Sequence, residues 1–318
     1  MELWPESYEE LRAEAREVGD MVADLLSESG APDAAADPVG RVAYMRQALA
    51  AMEVEDPRGV DETIAGVPCR VFRPEGTPTA VYLDYHGGGI MVGSPRLDDV
   101  RNAAYMEQLG VAVVSVGYRL APEHPYPAGI EDGLAVARWL VEHGEAEFGT
   151  DGLAIGGDSA GAYYTVTTLL RVRDELGPEA VGRFRAANVV FGVFDISRTP
   201  SQRGVRVAAG RDILDPAGIE FFAEQYTPGM TDEQRRSPLV SPLYADLRGL
   251  PPAIFTVGTA DHLLDDTLFL ATRWSAAGNP TDLAVYPDCP HGFTGHPTNL
   301  AHLANTRITT FLRNALTP

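Results

Sequence analysis

The 318-residue chain contains no lysine: all 25 of its basic residues are arginine. That absence removes Schiff-base and Ser-Lys mechanisms, which need a side-chain amine. It also removes the lysine of a phosphate-cradling Gly-Lys-Ser/Thr loop, so a glycine run here does not read as a nucleotide site. Positive charge is scarce altogether, with 45 acidic residues and a formal charge of −20. A surface of that sign repels nucleic acid and anionic membrane, and neither is expected as a partner. Cysteine is limited to Cys69 and Cys289, which have no zinc-ligand spacing and suggest no disulfide framework. No run of about 18 apolar residues occurs, so no stable membrane insertion is expected. The opening Met1-Glu2-Leu3-Trp4-Pro5-Glu6 carries acid where a secretory leader carries base, and the expected location is cytoplasmic. What remains, 45% hydrophobic and 22% charged, is ordinary globular composition with a sizeable core.

Two amphipathic helices are predicted first. Tyr8, Leu11, Ala15, Val18, Val22 and Leu25 recur at helical spacing, and Val39, Val42, Met45, Leu49 and Met52 follow an entry at Pro38. Residues 1–60 hold 14 acids and 5 arginines, −9 of the −20, and read as a helical cap ahead of the main domain, 61–318. Trp4, Met21 and Met45 are candidates to line a pocket there, although such residues ordinarily serve packing. From Asp61 onward strands alternate with helical segments. The strands are Thr63–Phe72, Ala80–Tyr85, Val111–Tyr118, the run before Gly157, Ala187–Phe194, Ala253–Gly258 and Thr281–Tyr286. That alternation predicts an α/β fold with a mostly parallel sheet and helices on both faces. Residues 198–245, mixed in polarity and rich in proline, suit an insertion and are a candidate second cap segment.

The chemistry gathers at predicted strand ends. Gly157-Asp158-Ser159-Ala160-Gly161 joins a short apolar strand to a helix, the context that turns G-x-S-x-G into a nucleophile elbow. Its glycines leave room for neighbouring backbone, and Ser159 is the candidate nucleophile. A neutral serine needs a base. Of seven histidines, His291 has the fitting place, in the loop after the last strand between Pro290 and Gly292. The carboxylate that orients it is sought just past the penultimate strand, where Asp261 is preferred to Asp265 and Asp266, one helical turn further on, because the strand end positions it rigidly and it keeps the order Ser…Asp…His. His86-Gly87-Gly88-Gly89 follows another strand, and its backbone N–H groups, with that of Ala160, suit a developing oxyanion. Tyr118–Ala128 is a rigid proline-studded loop, read as structural.

Together these stretches resemble the bacterial hormone-sensitive-lipase-like esterases of the α/β-hydrolase superfamily, in order over about residues 60–318. The resemblance implies a capped α/β-hydrolase fold, carboxylesterase activity on a small-molecule ester of small-to-medium acyl length, and no cofactor or metal. It implies that the oxyanion donors are the amides of Gly88, Gly89 and Ala160, with His86, Gly87 and Asp158 supporting the site. A homo-oligomer is compatible with it. Three departures stand out. Ala162-Tyr163-Tyr164 replaces a glycine-asparagine pair after the elbow, His262 replaces a proline after Asp261, and no proline follows Phe194. The two tyrosines and the altered segment after Phe194 are expected to reshape the acyl and alcohol pockets, so a specialised substrate is expected. An amidase, an acyltransferase or a non-catalytic receptor on the same fold are the rival readings.

Overall fold

The computed structural model describes residues 3–27, 36–205 and 214–317. Among them eight strands make one sheet: β1 (Val60–Ile64), β2 (Val67–Phe72), β3 (Val81–Tyr85), β4 (Ala112–Val116), β5 (Leu153–Asp158), β6 (Phe184–Val190), β7 (Ala253–Gly258) and β8 (Thr281–Tyr286). Across the sheet they run β1-β2-β4-β3-β5-β6-β7-β8. β2 is antiparallel to both its neighbours, and every other pair is parallel. The helices are α1 (Arg12–Ser27), α2 (Pro38–Ala50), α3 (Asp99–Leu109), α4 (Ala128–Phe148), α5 (Ala160–Leu176), α6 (Pro178–Gly182), α7 (Pro216–Tyr226), α8 (Asp232–Arg235), α9 (Leu264–Ala276) and α10 (Asn299–Leu316).

Parallel strands covered on both faces must be apolar on both. Accordingly Val81, Leu83 and Tyr85 of β3 enter one core with residues of α4, α5 and α9, while Tyr82 enters a second with α3 and α10. α2 and α7 open alike: Asp37 and Asp215 accept the N–H of Gly40 and Gly218, and a proline takes the first turn.

From β3 the chain crosses through α3 to β4 on one side, and from β5 through α5 to β6 on the other. The carboxyl ends of β3 and β5 therefore flank a topological switch point, where open α/β sheets hold their ligands.

The α/β-hydrolase expectation holds, with local differences. The stretch Thr63–Phe72 is not one strand but most of a hairpin: Ala65 and Gly66 both take positive φ, 51° and 81°, and fold β1 onto β2. β6 stops at Val190 because Phe191, at φ 34°, turns the chain aside. α3 has no strong apolar period and was not expected from sequence.

β2 is pinned by Arg70, whose buried guanidinium sits 2.7 Å from buried Asp99 and also binds Asp61 and the Asp56 carbonyl. Removing one member of a buried pair leaves the other charge uncompensated. Arg70→Met is expected to lower unfolding stability by about 3–5 kcal/mol, read from urea denaturation. A loss below about 1 kcal/mol would place Arg70 with the weak surface pairs instead.

Candidate active site

β5 delivers its last residue, Asp158, to the crevice, and the chain reverses at Ser159 with φ 55° and ψ −117°. A non-glycine residue held there costs about 1–3 kcal/mol. The strain persists because the Ser159 N–H is tied to the Val190 carbonyl at 2.9 Å and α5 begins at once. Both elbow glycines are sterically required. A Cβ on Gly157 would lie 2.4 Å from the Tyr85 carbonyl oxygen, and one on Gly161 only 1.9 Å from it.

The turn aims Ser159 at the loop after β8. His291 Nε2 lies 3.0 Å from Ser159 Oγ, and His291 Nδ1 lies 2.8 Å from Asp261 Oδ2. The other Asp261 oxygen accepts the Leu263 N–H at 2.8 Å. The competing carboxylates are committed elsewhere. Asp265 accepts the Ser201 N–H, and Asp266 accepts the N–H groups of Phe194 and Asp195. His262 donates Nδ1–H to the Ser201 carbonyl. Burial alone pulls the His291 pKa down. The Asp261 charge, the hydrogen bond to it and the charge of Asp158 outweigh burial and carry it above the ordinary 6.5.

Gly87, Gly88 and Gly89 leave β3 in a tight turn, with Gly88 at φ 117° and Gly89 at φ 58°. The turn closes through Met91 and Val92 N–H to the Gly88 carbonyl. Among the described residues no hydrogen bond uses the Gly88 or Gly89 N–H, and Ala160 opens α5, where an N–H has no partner inside the helix. Three amide donors are thus free at the crevice. His86 braces the loop from below: its Nδ1–H meets the Gly87 carbonyl at 2.7 Å and its ring stacks on Tyr118. Asp158 fills the space beside Gly87, where a Cβ would come within 2.7 Å of its Oδ2. Its charge is countered by Arg101 at 2.6 Å, which also reaches Asp84 and Asp98.

Ser159 and His291 open onto a cavity of ≈ 320 Å³, within the range that holds small ligands. Its walls are largely apolar. Met45 and Leu49 come from α2, and Ile219, Phe222 and Tyr226 from α7. Of the proposed pocket residues, only Met45 lies there. Trp4 bonds Glu9 and packs on the second core, and Met21 is exposed. Tyr163 and Tyr164 do not line the cavity either, but the Tyr163 hydroxyl sits 3.2 Å from that of Tyr226, which does. The part of the candidate cap segment at residues 206–213 lies outside the described residues. The Tyr118–Ala128 loop acts as scaffold: its Glu123 pairs with Arg46 of α2, and its Tyr126 N–H bonds the Tyr226 carbonyl.

Sequence reasoning missed two features. Phe191 packs its ring against His291 at 4.9 Å, although only its aromatic character marked it. α1 docks on the His291 loop: Arg12 and Arg16 hold Asp288, and Gly19 leaves room for Pro290, which a Cβ would meet at 3.0 Å. No local signal announces a contact across 276 residues.

Comparison with known proteins agrees with this fold. A family model described as alpha/beta hydrolase fold matches residues 82–295. Carboxylesterase NlhH of Mycobacterium tuberculosis is 37% identical over 240 residues, 72% of each chain. Ethyl acetate hydrolase of Pseudomonas putida is 34% identical over 238 residues, 71% of each. Among solved structures, the esterase of the archaeon Pyrobaculum calidifontis superposes with a TM-score of 0.82 at 26% identity, covering 94% of this chain and 98% of its own. A hormone-sensitive lipase from a metagenome library gives 0.80 at 27% identity, covering 96% and 98%. The chain belongs to the hormone-sensitive-lipase-like carboxylesterases of the α/β-hydrolase fold.

Proposed function

We propose that this carboxylesterase cleaves small-to-medium acyl esters through an acyl-enzyme on Ser159. The observation that carries the reading is the continuous chain Ser159 Oγ, His291, Asp261 at the mouth of an apolar cavity. As Oγ attacks the ester carbonyl, His291 Nε2 takes its proton. Asp261 holds the Nδ1–H tautomer and stabilises the imidazolium. The amides of Gly88, Gly89 and Ala160 receive the oxyanion, each donor worth about 2.7–4 kcal/mol in the transition state. His291 then protonates the departing alcohol, and water, deprotonated by the same histidine, releases the acid. α2 and α7 form the cap of this reading. Their side chains roof the cavity, whereas α1 supports the His291 loop.

The test is hydrolysis of p-nitrophenyl esters from acetate to dodecanoate, with turnover expected to peak at short to medium chains. Acyl transfer to an added alcohol in place of hydrolysis would favour the acyltransferase reading, and no turnover of any ester would overturn the proposal. The pH profile follows from His291. The base must be neutral, so kcat/KM falls as pH drops through its raised pKa, and the acid limb lies above 6.5. Asp261→Asn removes the charge that raises it. The limb is expected to move down while the rate drops by about 10⁴. A limb that stays in place would exclude Asp261 as the partner.

A further inference from the structure

α7 crosses the catalytic cavity with Ile219, Phe222, Ala223 and Tyr226 in its wall. Of these, Phe222 reaches the glycine turn itself. A Cβ on Gly89 would lie 2.8 Å from Phe222 Cε1 and 2.9 Å from its Cδ1 and Cζ, so the ring takes the space that a side chain at Gly89 would fill. The ring is half-buried and lines the cavity, and so is open to a ligand there. It is also held in place, packed on the core that contains α4 and α5 and against Phe221, with ring centroids 6.2 Å apart. α7 in turn is tied at both ends, by the Asp215 cap and by the Tyr226 carbonyl, which accepts the Tyr126 N–H.

The two ends of the cavity meet different halves of an ester. The leaving oxygen must lie beside His291 Nε2, which protonates it. The alcohol half therefore runs to the end where Phe191 packs on the His291 ring and Gly292 follows. The carbonyl oxygen points to the amides of Gly88, Gly89 and Ala160. The acyl chain takes the direction that is left, away from His291 and past the glycine turn, and the ring on Gly89 stands in that path. Nearby wall residues Met45, Leu49 and Ile90 are apolar, which suits an alkyl chain. We propose that the Phe222 ring ends the acyl side of the cavity and sets the longest acyl chain the enzyme accepts. This rests on the esterase reading above and names the residue behind its acyl-length limit.

Phe222→Leu and Phe222→Ala cut the wall back in two steps, and two ester series read the result. p-Nitrophenyl esters from acetate to dodecanoate vary the acyl chain, and butyrates from methyl to octyl vary the alcohol. In the wild type, kcat/KM is expected to fall off beyond medium acyl chains. Phe222→Ala should raise the dodecanoate-to-butyrate ratio of kcat/KM by about tenfold, the low end of what one misfit methylene costs in an apolar pocket. Phe222→Leu should fall between. The octyl-to-methyl ratio of the alcohol series should stay as in the wild type. Leucine keeps an apolar side chain in the same place, so that variant carries the test if the alanine variant does not fold. The proposal falls if the wild type takes dodecanoate as readily as butyrate, if neither variant moves the acyl ratio, or if the alcohol ratio moves in its place. If the wild type turns over none of these esters, the esterase reading itself fails.

Discussion

Ser159→Ala is expected to lower kcat for a short p-nitrophenyl ester by on the order of 10⁶. The Oγ that would attack lies 3.0 Å from His291 Nε2, and among the described residues no other hydroxyl is bonded to that nitrogen. Without it, water must attack unaided, and what remains of the rate comes from the free amides of the glycine turn. The loss should fall on kcat, because the cavity walls and the amides are unchanged and KM should shift little. Folding should be untouched: alanine meets the same strain as serine at φ 55°, so the urea midpoint is expected to coincide with wild type. An organophosphate such as diethyl p-nitrophenyl phosphate should add its diethyl phosphoryl group to the wild type and not to the variant, read by intact mass. Retention of more than about one per cent of kcat would remove Ser159 from the nucleophile's role, given the drop expected above.

The elbow is readable in sequence because its requirements are local. Two glycines flank a serine between an apolar strand and a helix, and the close approach that demands them is made by the strand next door. His291 and Asp261 are readable for a related reason: parallel strands place successive loops at one end of the sheet, so residues just past β7 and β8 must arrive near those past β3 and β5. The cavity walls are a different matter. Phe222 and Tyr226 belong to an amphipathic helix whose apolar face, read alone, suits ordinary packing. That Tyr163 reaches Tyr226 depends on how α7 lies over α5, which no spacing within either helix specifies. The same holds for Arg12 and Arg16. Both turn to Asp288 at the other end of the chain, a partner that nothing in the helix's own spacing specifies.

Gly161→Ala should unfold the protein or cost it more than about 4 kcal/mol, a loss reserved for a few mechanisms such as overpacking against fixed backbone. In an ordinary helix this substitution would help by about 1 kcal/mol. At Gly161, in the first turn of α5, the new Cβ would sit 1.9 Å from the Tyr85 carbonyl oxygen and 3.0 Å from that of His86. Neither atom is the end of a side chain that can swing away. Both belong to the backbone that leads from β3 into Gly87-Gly88-Gly89, so relief must come by displacing the amides that face Ser159. Stability and turnover should therefore fall together, as they do not for Ser159→Ala. Gly182, at the end of α6 with nothing within 4 Å of a Cβ, provides the control, and Gly182→Ala should leave the urea midpoint unchanged or raise it. If Gly161→Ala kept both its midpoint and its turnover, β3 and the elbow would have to be farther apart than their paired register allows. The oxyanion role assigned to the glycine turn would then fall with that packing.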